Sequence, residues 1–172
     1  SLPTGLGPEL YASLIQSCRA KDINTVLDTR DSPLALGVRS KPTIIKPNIA
    51  ELEGLFGEEI RGVRHLALKG KKLLDGGIEF VFITAGADGM IAVHGSECLL
   101  CSPPKITTVD TTGCGDAVVA GILAGRNRRF SFTETCRLGV ACGASNALHR
   151  GAGVIDPDQV WSLMEDVRIE GI

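Results

Sequence analysis

The feature that most constrains the fold is a glycine-rich turn at residues 110–116, Asp-Thr-Thr-Gly-Cys-Gly-Asp, followed directly by small apolar residues up to Ala124. The pattern predicts the end of a strand, a tight turn and then a helix over about 116–124. Gly113 and Gly115 allow the backbone to bend sharply and to approach a ligand, because neither residue has a Cβ. The helix would direct free N–H groups and its positive dipole end at this turn, and both favour an anion.

Asp116 is predicted to lie in the first turn of that helix, beside the place for the anion. An anion-binding turn with a carboxylate at its edge is what a kinase needs to move a phosphoryl group onto a hydroxyl. The segment is not a Walker phosphate loop, which requires G-x-x-x-x-G-K-[ST]. It is not a dinucleotide fingerprint either, because Val118 stands where glycine or alanine is required. A glycine-rich helix start capped by Asp116 is the structural alternative, although the hydroxyls of Thr111 and Thr112 favour an anion site.

Short β-rich runs alternate with amphipathic segments, and this alternation predicts the α/β class. The 172 residues suffice for one domain with its own core. Strands are predicted at 25–28, 43–46, 80–84 and 90–94, with a strand-like run around residues 98–101. Helices are predicted at 10–19, 63–74, 116–124 and 132–148, with two more starting at Asn48 and at Asp156.

Charge and cysteine usage exclude several classes of partner. A formal net charge of −2 argues against a nucleic-acid-binding surface, and no apolar run approaches the ~20 residues that span a bilayer. Six cysteines are scattered along the chain, and Cys98 and Cys101 have no second pair or nearby histidine to complete a zinc site. Free cysteines are typical of a reducing compartment. We therefore expect a cytoplasmic protein without nucleic-acid or membrane partners.

A second candidate segment, at residues 46–51, is Lys-Pro-Asn-Ile-Ala-Glu and follows a predicted strand. Open α/β sheets bind their ligands at this end of their strands. Asn48 and Glu51 are three residues apart and share one face of the helix that Asn48 begins. Their oxygen atoms suit Mg²⁺, which keeps several waters and uses one or two carboxylates with phosphate oxygens. The structural alternative is a capping box formed by the same two side chains.

A third candidate segment, at residues 84–89, is Thr-Ala-Gly-Ala-Asp-Gly and follows the clearest strand of the chain. Its glycines would let backbone amides meet a phosphate or a ribose. The alternative is an ordinary hairpin loop that leads into the strand predicted at 90–94.

Taken in order, the three segments resemble the PfkB, or ribokinase-like, family of sugar kinases. They match K-P-N-x-x-E at 46–51, T-x-G-x-x-G at 84–89 and D-T-x-G-x-G-D at 110–116. Residues 1–5 resemble the S-L-P-P-G segment of the branch that acts on phosphorylated hexoses, which includes 1-phosphofructokinase, tagatose-6-phosphate kinase and the minor 6-phosphofructokinases. Residues 140–153 resemble the family's adenine-side helix and loop, so that the resemblance covers essentially the whole chain.

The resemblance implies a ribokinase-like three-layer α/β/α fold with a mostly parallel central sheet. Residues 1–172 would be the C-terminal, nucleotide-binding portion of such a domain, without a separate second domain. The N-terminal half, the lid and most sugar-binding residues of the family would then be missing. Family dimers often pair through the lid, so a homodimer is the expectation for a longer parent protein.

The resemblance also assigns catalytic roles to the glycine turn and its carboxylate. Asp116 would be the base that takes the proton from the acceptor hydroxyl. The amides of Gly113, Cys114 and Gly115 would form the anion hole for the transferring phosphoryl group. Cys114 stands where the family usually has alanine, and its side chain is small enough to leave the hole open.

Cofactor and substrate positions follow from the same resemblance. Asn48 and Glu51 would orient Mg²⁺ through water. Ser1 would contact the phosphate that the sugar already carries. The nucleotide-binding positions would be Lys46, near the ATP phosphates, together with Thr84, Gly86, Gly89 and Asn146.

These assignments predict ATP- and Mg²⁺-dependent phosphoryl transfer to a hydroxyl of a phosphorylated hexose, of the fructose-1-phosphate, fructose-6-phosphate or tagatose-6-phosphate class. A truncated nucleotide-binding chain without catalytic activity of its own is the alternative from a different functional class. A Rossmann oxidoreductase is disfavoured because the dinucleotide fingerprint fails at Val118.

Overall fold

A computed structural model describes residues 2–172, and Ser1, the expected contact to the sugar phosphate, lies outside the described residues. The chain divides into two compact units. The first contains the chain up to Ala85 together with Ile91–Cys98, and the second contains Gly86–Met90 together with Leu99–Ile172. Within the described part of the chain, no helix combines the length and the apolar character needed to traverse a bilayer.

The first unit alternates helices with parallel strands. Its elements are α1 (Leu10–Arg19), β1 (Val26–Leu27), α2 (Asp31–Arg39), β2 (Ile44–Ile45), α3 (Ile49–Phe56), α4 (Gly62–Asp75), β3 (Phe80–Thr84) and, from Ile91 onward, β4 (Met90–His94). β1, β2 and β3 pair in parallel, with Leu27 opposite Ile45 and Ile45 opposite Val81. β4 follows β3 in the strand order. The first four residues of β3 form an apolar run and are all buried, as is typical of a strand with both faces covered.

The second unit is mainly helical. Its elements are the part of β5 (Glu97–Ser102) that follows Cys98, and then α5 (Cys114–Asn127), α6 (Phe132–Ala147), α7 (Pro157–Asp166) and β6 (Arg168–Gly171). β6 pairs antiparallel with β5, with Ile169 opposite Cys101. α5 and α6 pack closely because glycines lie at their contact, where a Cβ on Gly121 would be 2.8 Å from the Cα of Gly139. The helix that begins at the glycine turn is therefore supported along its length by α6.

The predicted α/β class is confirmed, and the strongest helix signals lie where the sequence places them. α6 begins with a capping box in which the side chains of Ser131 and Glu134 each accept from the other residue's backbone N–H. Asp156 caps α7, and Pro157 occupies its first position, where no helical N–H bond is lost. Local signals that act within four residues therefore predict helix starts well in this chain.

Two predictions around the glycine turn are wrong. No strand precedes the turn, because residues 103–109 are irregular after the break at Pro103 and Pro104. The helix begins at Cys114 rather than near residue 116, since Gly113 takes the N-cap position in a left-handed conformation. The turn is consequently shorter than the sequence suggests, and Asp116 is the third residue of α5.

Two elements carry no clear sequence signal. α2 contains Pro33 and Gly37, which lower helix propensity. Pro33 is tolerated because it lies in the first turn, where its missing N–H would have no helical partner. β6 alternates charged with apolar or small residues on a mostly exposed strand, so the apolar periodicity of a buried strand is absent.

Gly121→Ala is expected to destabilise the second unit by about 1–3 kcal/mol, because the new methyl would overpack the α5–α6 contact. It would meet the Cα of Gly139 and the carbonyl oxygen of Leu138, both at 2.8 Å. The matched control is Gly54→Ala in α3, where no atom lies within 4 Å of the Cβ position. Because alanine has a higher helix propensity than glycine, the free energy of unfolding of this variant should be unchanged or higher by about 0.5–1 kcal/mol. Urea unfolding measures both changes, and equal effects would contradict the close helix contact.

Candidate active site

Gly113 determines the geometry of the glycine turn. It is the N-cap of α5 and has a φ of +78°, in the left-handed region that favours glycine. A Cβ at this position would lie 2.6 Å from the Cβ of Ala152 and 2.7 Å from its Cα. The turn and the loop that follows α6 therefore approach each other more closely than any side chain at residue 113 allows.

Three backbone donors at the start of α5 lack a partner. The N–H groups of Gly113, Gly115 and Asp116 have no hydrogen-bond acceptor within the described residues. They lie at the positive end of the helix dipole, where an anion is favoured. The Cys114 N–H, in contrast, donates to the Thr111 carbonyl at 3.2 Å. The Cys114 amide therefore closes the turn in this structure, and its expected part in the anion hole stays a prediction.

The Asp116 side chain is exposed in the first turn of α5. Its carboxylate forms no hydrogen bond and no ion pair with any residue that the structure describes. A general base must be accessible and free to accept a proton, and this carboxylate is both. The Asp116 carboxylate, one of the predicted site residues, is therefore available to accept a proton.

Asp110 links the glycine turn to the loop after α6, a role that the sequence analysis did not identify. One carboxylate oxygen accepts from the Thr112 N–H at 2.9 Å, and the other accepts from the Gly151 N–H at 3.0 Å. These backbone donors, Thr112 first, lower the pKa of Asp110 from its ordinary value of 3.8 to about 2. Asp110 is therefore ionised at neutral pH and holds two segments that are 41 residues apart.

Acid is expected to weaken this link in a defined pH range. The pKa of Asp110 in the folded protein, about 2, lies below its ordinary value of 3.8. The bonded carboxylate therefore stabilises the fold fully above about pH 4, and this contribution disappears as the pH falls through about 2. In Asp110→Asn the contribution is absent throughout. Urea unfolding between pH 2 and 5 should show the two free energies of unfolding converging toward pH 2, and a constant difference would contradict the assignment.

Asn146 lies inside the protein rather than at a ligand surface. Its side chain is 0% exposed at the end of α6. Nδ2 donates to the Thr112 carbonyl at 2.8 Å, and Oδ1 accepts from the Gly153 N–H at 2.8 Å. The Asn146 side chain has no exposed surface in this structure, and its expected contact with the nucleotide stays a prediction.

In the first unit, charged residues follow two neighbouring strands. Because Leu27 pairs with Ile45, the next residues along the chain, Asp28 and Lys46, lie side by side at the carboxyl ends of β1 and β2. Their charges are paired at 3.3 Å, and the Lys46 side chain is only 6% exposed. The adjacent Thr29 hydroxyl is buried and has no hydrogen-bond partner among the described residues. Asp28 is not among the predicted site residues, although its position directly after a strand is where open α/β sheets bind ligands.

Asn48 and Glu51 form the capping box that the sequence analysis names as an alternative. Asn48 Oδ1 accepts from the Glu51 N–H at 2.8 Å, and Glu51 Oε2 accepts from the Asn48 N–H at 2.9 Å. The Thr84 N–H donates to the Pro47 carbonyl at 2.9 Å, and Asn48 bridges Thr84 in parallel register. The cap is thus attached to the end of β3.

The same residues fit a water-mediated magnesium site. The described residues contain no group of three or more histidine, cysteine, aspartate or glutamate side chains that could hold a metal ion by themselves. Mg²⁺ does not require such a cage, since it usually retains waters and uses phosphate oxygens. The exposed Asn48 amide and the second carboxylate oxygen of Glu51 have the oxygen chemistry that this ion prefers.

Gly86 and Gly89 belong to a short 3₁₀ turn at Gly86–Asp88 and its exit. Gly86 is exposed at a φ of +59°, with no atom within 4 Å of its Cβ position. Gly89 has a φ of +96°, and a Cβ there would lie 2.1 Å from the Cys101 carbonyl oxygen. The exposed Gly86 can be approached by a ligand, whereas Gly89 is required by local packing.

Residues 1–159 match the pfkB family of carbohydrate kinases. Over 170 residues the chain is 32% identical to 1-phosphofructokinase of Rhodobacter capsulatus, an alignment that covers 99% of this chain and 54% of that protein. The chain therefore spans about half the length of the curated relatives that it matches.

Solved structures show the same fold. Phosphofructokinase-2 of Escherichia coli superposes with a TM-score of 0.90 at 23% identity, over 95% of this chain and 54% of that one. Ribokinase of Thermotoga maritima superposes with a TM-score of 0.75 at 20% identity, over 91% of this chain and 54% of that one. The ribokinase-like α/β fold is thereby confirmed.

Proposed function

This chain belongs to the pfkB family of carbohydrate kinases, and from that premise we propose that its protein transfers the γ-phosphoryl group of ATP to a hydroxyl of a phosphorylated hexose. The supporting observation is the start of α5, where the N–H groups of Gly113, Gly115 and Asp116 lack acceptors within the described chain. The Asp116 carboxylate beside them is exposed and free of internal partners there. Donors for a phosphoryl group and a base for a hydroxyl are thus available within four consecutive residues.

In the proposed mechanism, the sugar hydroxyl gives its proton to the Asp116 carboxylate while its oxygen attacks the γ-phosphorus of ATP. The new O–P bond forms as the bond between the γ-phosphorus and the β,γ-bridging oxygen breaks, and ADP leaves with that oxygen. The N–H groups of Gly113 and Gly115 donate to the phosphoryl oxygens in transit. Asp116 then passes the proton to water, which restores the carboxylate.

Bound Mg²⁺ would neutralise charge on the β- and γ-phosphates. Asn48 and Glu51 are the proposed residues that orient it through water. The proposed nucleotide-side positions are Lys46, Thr84, Gly86 and Gly89. The role has the least structural support at Lys46 and Gly89. The Lys46 ammonium is paired with Asp28, and Gly89 packs against Cys101.

A phosphorylated hexose is the proposed acceptor because the Rhodobacter capsulatus relative is a 1-phosphofructokinase. Fructose-1-phosphate is therefore the first acceptor to test, followed by fructose-6-phosphate and tagatose-6-phosphate. We also propose that the whole protein is a homodimer and that it is located in the cytoplasm.

A second candidate is a chain that binds nucleotide without catalysing transfer. The observation that favours it is coverage, since the alignment spans 54% of the relative's length. In that case the 172 residues would retain ATP affinity and contribute no turnover of their own.

One experiment separates the two candidates. The chain is titrated with MgATP by calorimetry and then incubated with each of the three sugar phosphates, with ADP release measured by a coupled assay. ADP release above a control without sugar supports the kinase. ATP binding without release supports the second candidate, and absence of ATP binding overturns both.

A further inference from the structure

We propose that Asn146 is a positioning residue that aims the Gly113 N–H at the γ-phosphate of the nucleotide. The inference rests on the proposed function, because it assigns the buried amide a part in building the anion hole. The Asn146 side chain is fully buried, so it would act through the peptide group that it holds.

The Asn146 amide makes hydrogen bonds to two separate segments of the chain. Nδ2 donates to the Thr112 carbonyl at 2.8 Å and also lies 3.4 Å from the Cys114 Sγ. Oδ1 accepts from the Gly153 N–H at 2.8 Å. One side chain with 0% exposure thus joins the glycine turn to the loop after α6.

Peptide geometry sets the direction of the Gly113 N–H. The Thr112 carbonyl and the Gly113 N–H belong to the same peptide group, and in a planar trans peptide the C=O and N–H bonds point in opposite directions. Asn146 holds the carbonyl from the protein interior. The Gly113 N–H must therefore point away from Asn146, and it is one of the three donors without an acceptor in the described chain.

Thr112 is held at both of its peptide groups. Its N–H donates to Asp110 Oδ1 at 2.9 Å, while its carbonyl accepts from Asn146. Both of these side chains also bind the loop after α6, Asp110 through Gly151 and Asn146 through Gly153. Rotation of the peptide between residues 112 and 113 would break the Asn146 bond, so the direction of the donor is set before any ligand arrives.

The two hydrogen bonds, one donated and one accepted, require an amide at position 146. Aspartate could accept from Gly153 but could not donate to Thr112, and alanine would leave both backbone groups without a partner. Ala144 and Ala147, nearby on the same helix, are buried apolar residues. Burying a polar side chain in such surroundings is unfavourable unless its hydrogen bonds are made.

The test compares Asn146→Ala with a matched control, Ser145→Ala. Ser145 is also 0% exposed on α6, but its hydroxyl bonds to Gln159 at 2.8 Å and to the Asp156 N–H at 3.3 Å, away from the turn. MgATP and MgADP affinities are measured by calorimetry for both variants and for the wild type. We expect Asn146→Ala to weaken MgATP binding roughly tenfold or more, as for loss of a hydrogen bond to a charged group. MgADP affinity and the Ser145→Ala variant should change less than twofold.

An unchanged ratio of MgATP to MgADP affinity in folded Asn146→Ala would overturn the proposal, as would an equal change in Ser145→Ala. If the alanine variant does not fold, Asn146→Ser replaces it. Its shorter side chain retains a hydroxyl but cannot reach both partners, so the same change in the affinity ratio is expected.

A measurement without ligand separates this inference from the proposed function. Alkylation of Cys114 by iodoacetamide, followed by peptide mass spectrometry, should be faster in Asn146→Ala than in Ser145→Ala, because the turn loses its interior anchor. Faster alkylation in a protein that does not bind MgATP would reject the kinase proposal and retain the anchoring role. Equal alkylation rates in a protein that does bind MgATP would reject the anchoring role alone.

Discussion

Asp116→Asn should lower the rate of phosphoryl transfer by about 10²–10⁴-fold, the usual contribution of a positioned general base. The carboxylate is exposed and has no internal partner among the described residues, so its replacement breaks no bond of the fold. MgATP affinity should change little, because the backbone donors of the turn remain. The measurement is steady-state turnover in a form of the protein that phosphorylates a sugar phosphate, combined with calorimetric binding of MgATP.

The matched control for this substitution is Asp158→Asn. Asp158 is likewise an exposed acid in the first turn of a helix, α7, so that the change in charge and helix-dipole interaction is similar. This variant should turn over normally. Near-normal turnover of Asp116→Asn with intact MgATP binding would rule out Asp116 as the base.

Gly113→Ala should disrupt both the fold of the turn and the binding of MgATP. A left-handed conformation costs a non-glycine residue roughly 1–2 kcal/mol, and the overpacking typically costs about 1–3 kcal/mol more. The overpacking arises because the new methyl would lie 2.6 Å from the Cβ of Ala152. Any shift that relieves the contact moves the Gly113 N–H, so we expect weaker MgATP binding together with a lower free energy of unfolding.

Two further variants separate backbone strain from steric conflict. Gly57→Ala replaces the C-cap of α3 at a φ of +68°, with no atom within 4 Å of its Cβ position, and should show the strain alone. Adding Ala152→Gly to Gly113→Ala removes the nearest contact and should restore part of the lost stability. If Gly113→Ala were no more harmful than Gly57→Ala, the close approach of the turn to Ala152 would be disproved.

Signals that act over a few residues account for what could be predicted. The spacing of Gly113, Gly115 and Asp116 indicates a turn, a helix start and a carboxylate in the first helical turn, and all three are present although α5 begins at Cys114 rather than near residue 116. Asn48 and Glu51 are predictable as a pair because a capping box needs only two residues three apart. Their proposed role toward Mg²⁺ was not decidable from the same spacing, since capping and water-mediated coordination use the same oxygen atoms.

The rest of the candidate site depends on contacts between residues that are far apart in the sequence. Asp110 reaches Gly151 over 41 residues, and Asn146 reaches Thr112 over 34 residues. Asn146 is predicted at the nucleotide because its segment resembles an adenine-side helix, and a pattern of that kind does not reveal which side of the helix is buried.

The sequence by itself determined the family, the α/β class and the position of a carboxylate at a helix start, because these depend on the order and spacing of neighbouring residues. Only the tertiary structure decided which amides remain available and which side chains hold them in place. Pairing of Lys46 with Asp28 and burial of Asn146 depend on strand register and helix packing. Both bring together residues that are far apart along the chain, and the energy of those contacts is absent from any local pattern.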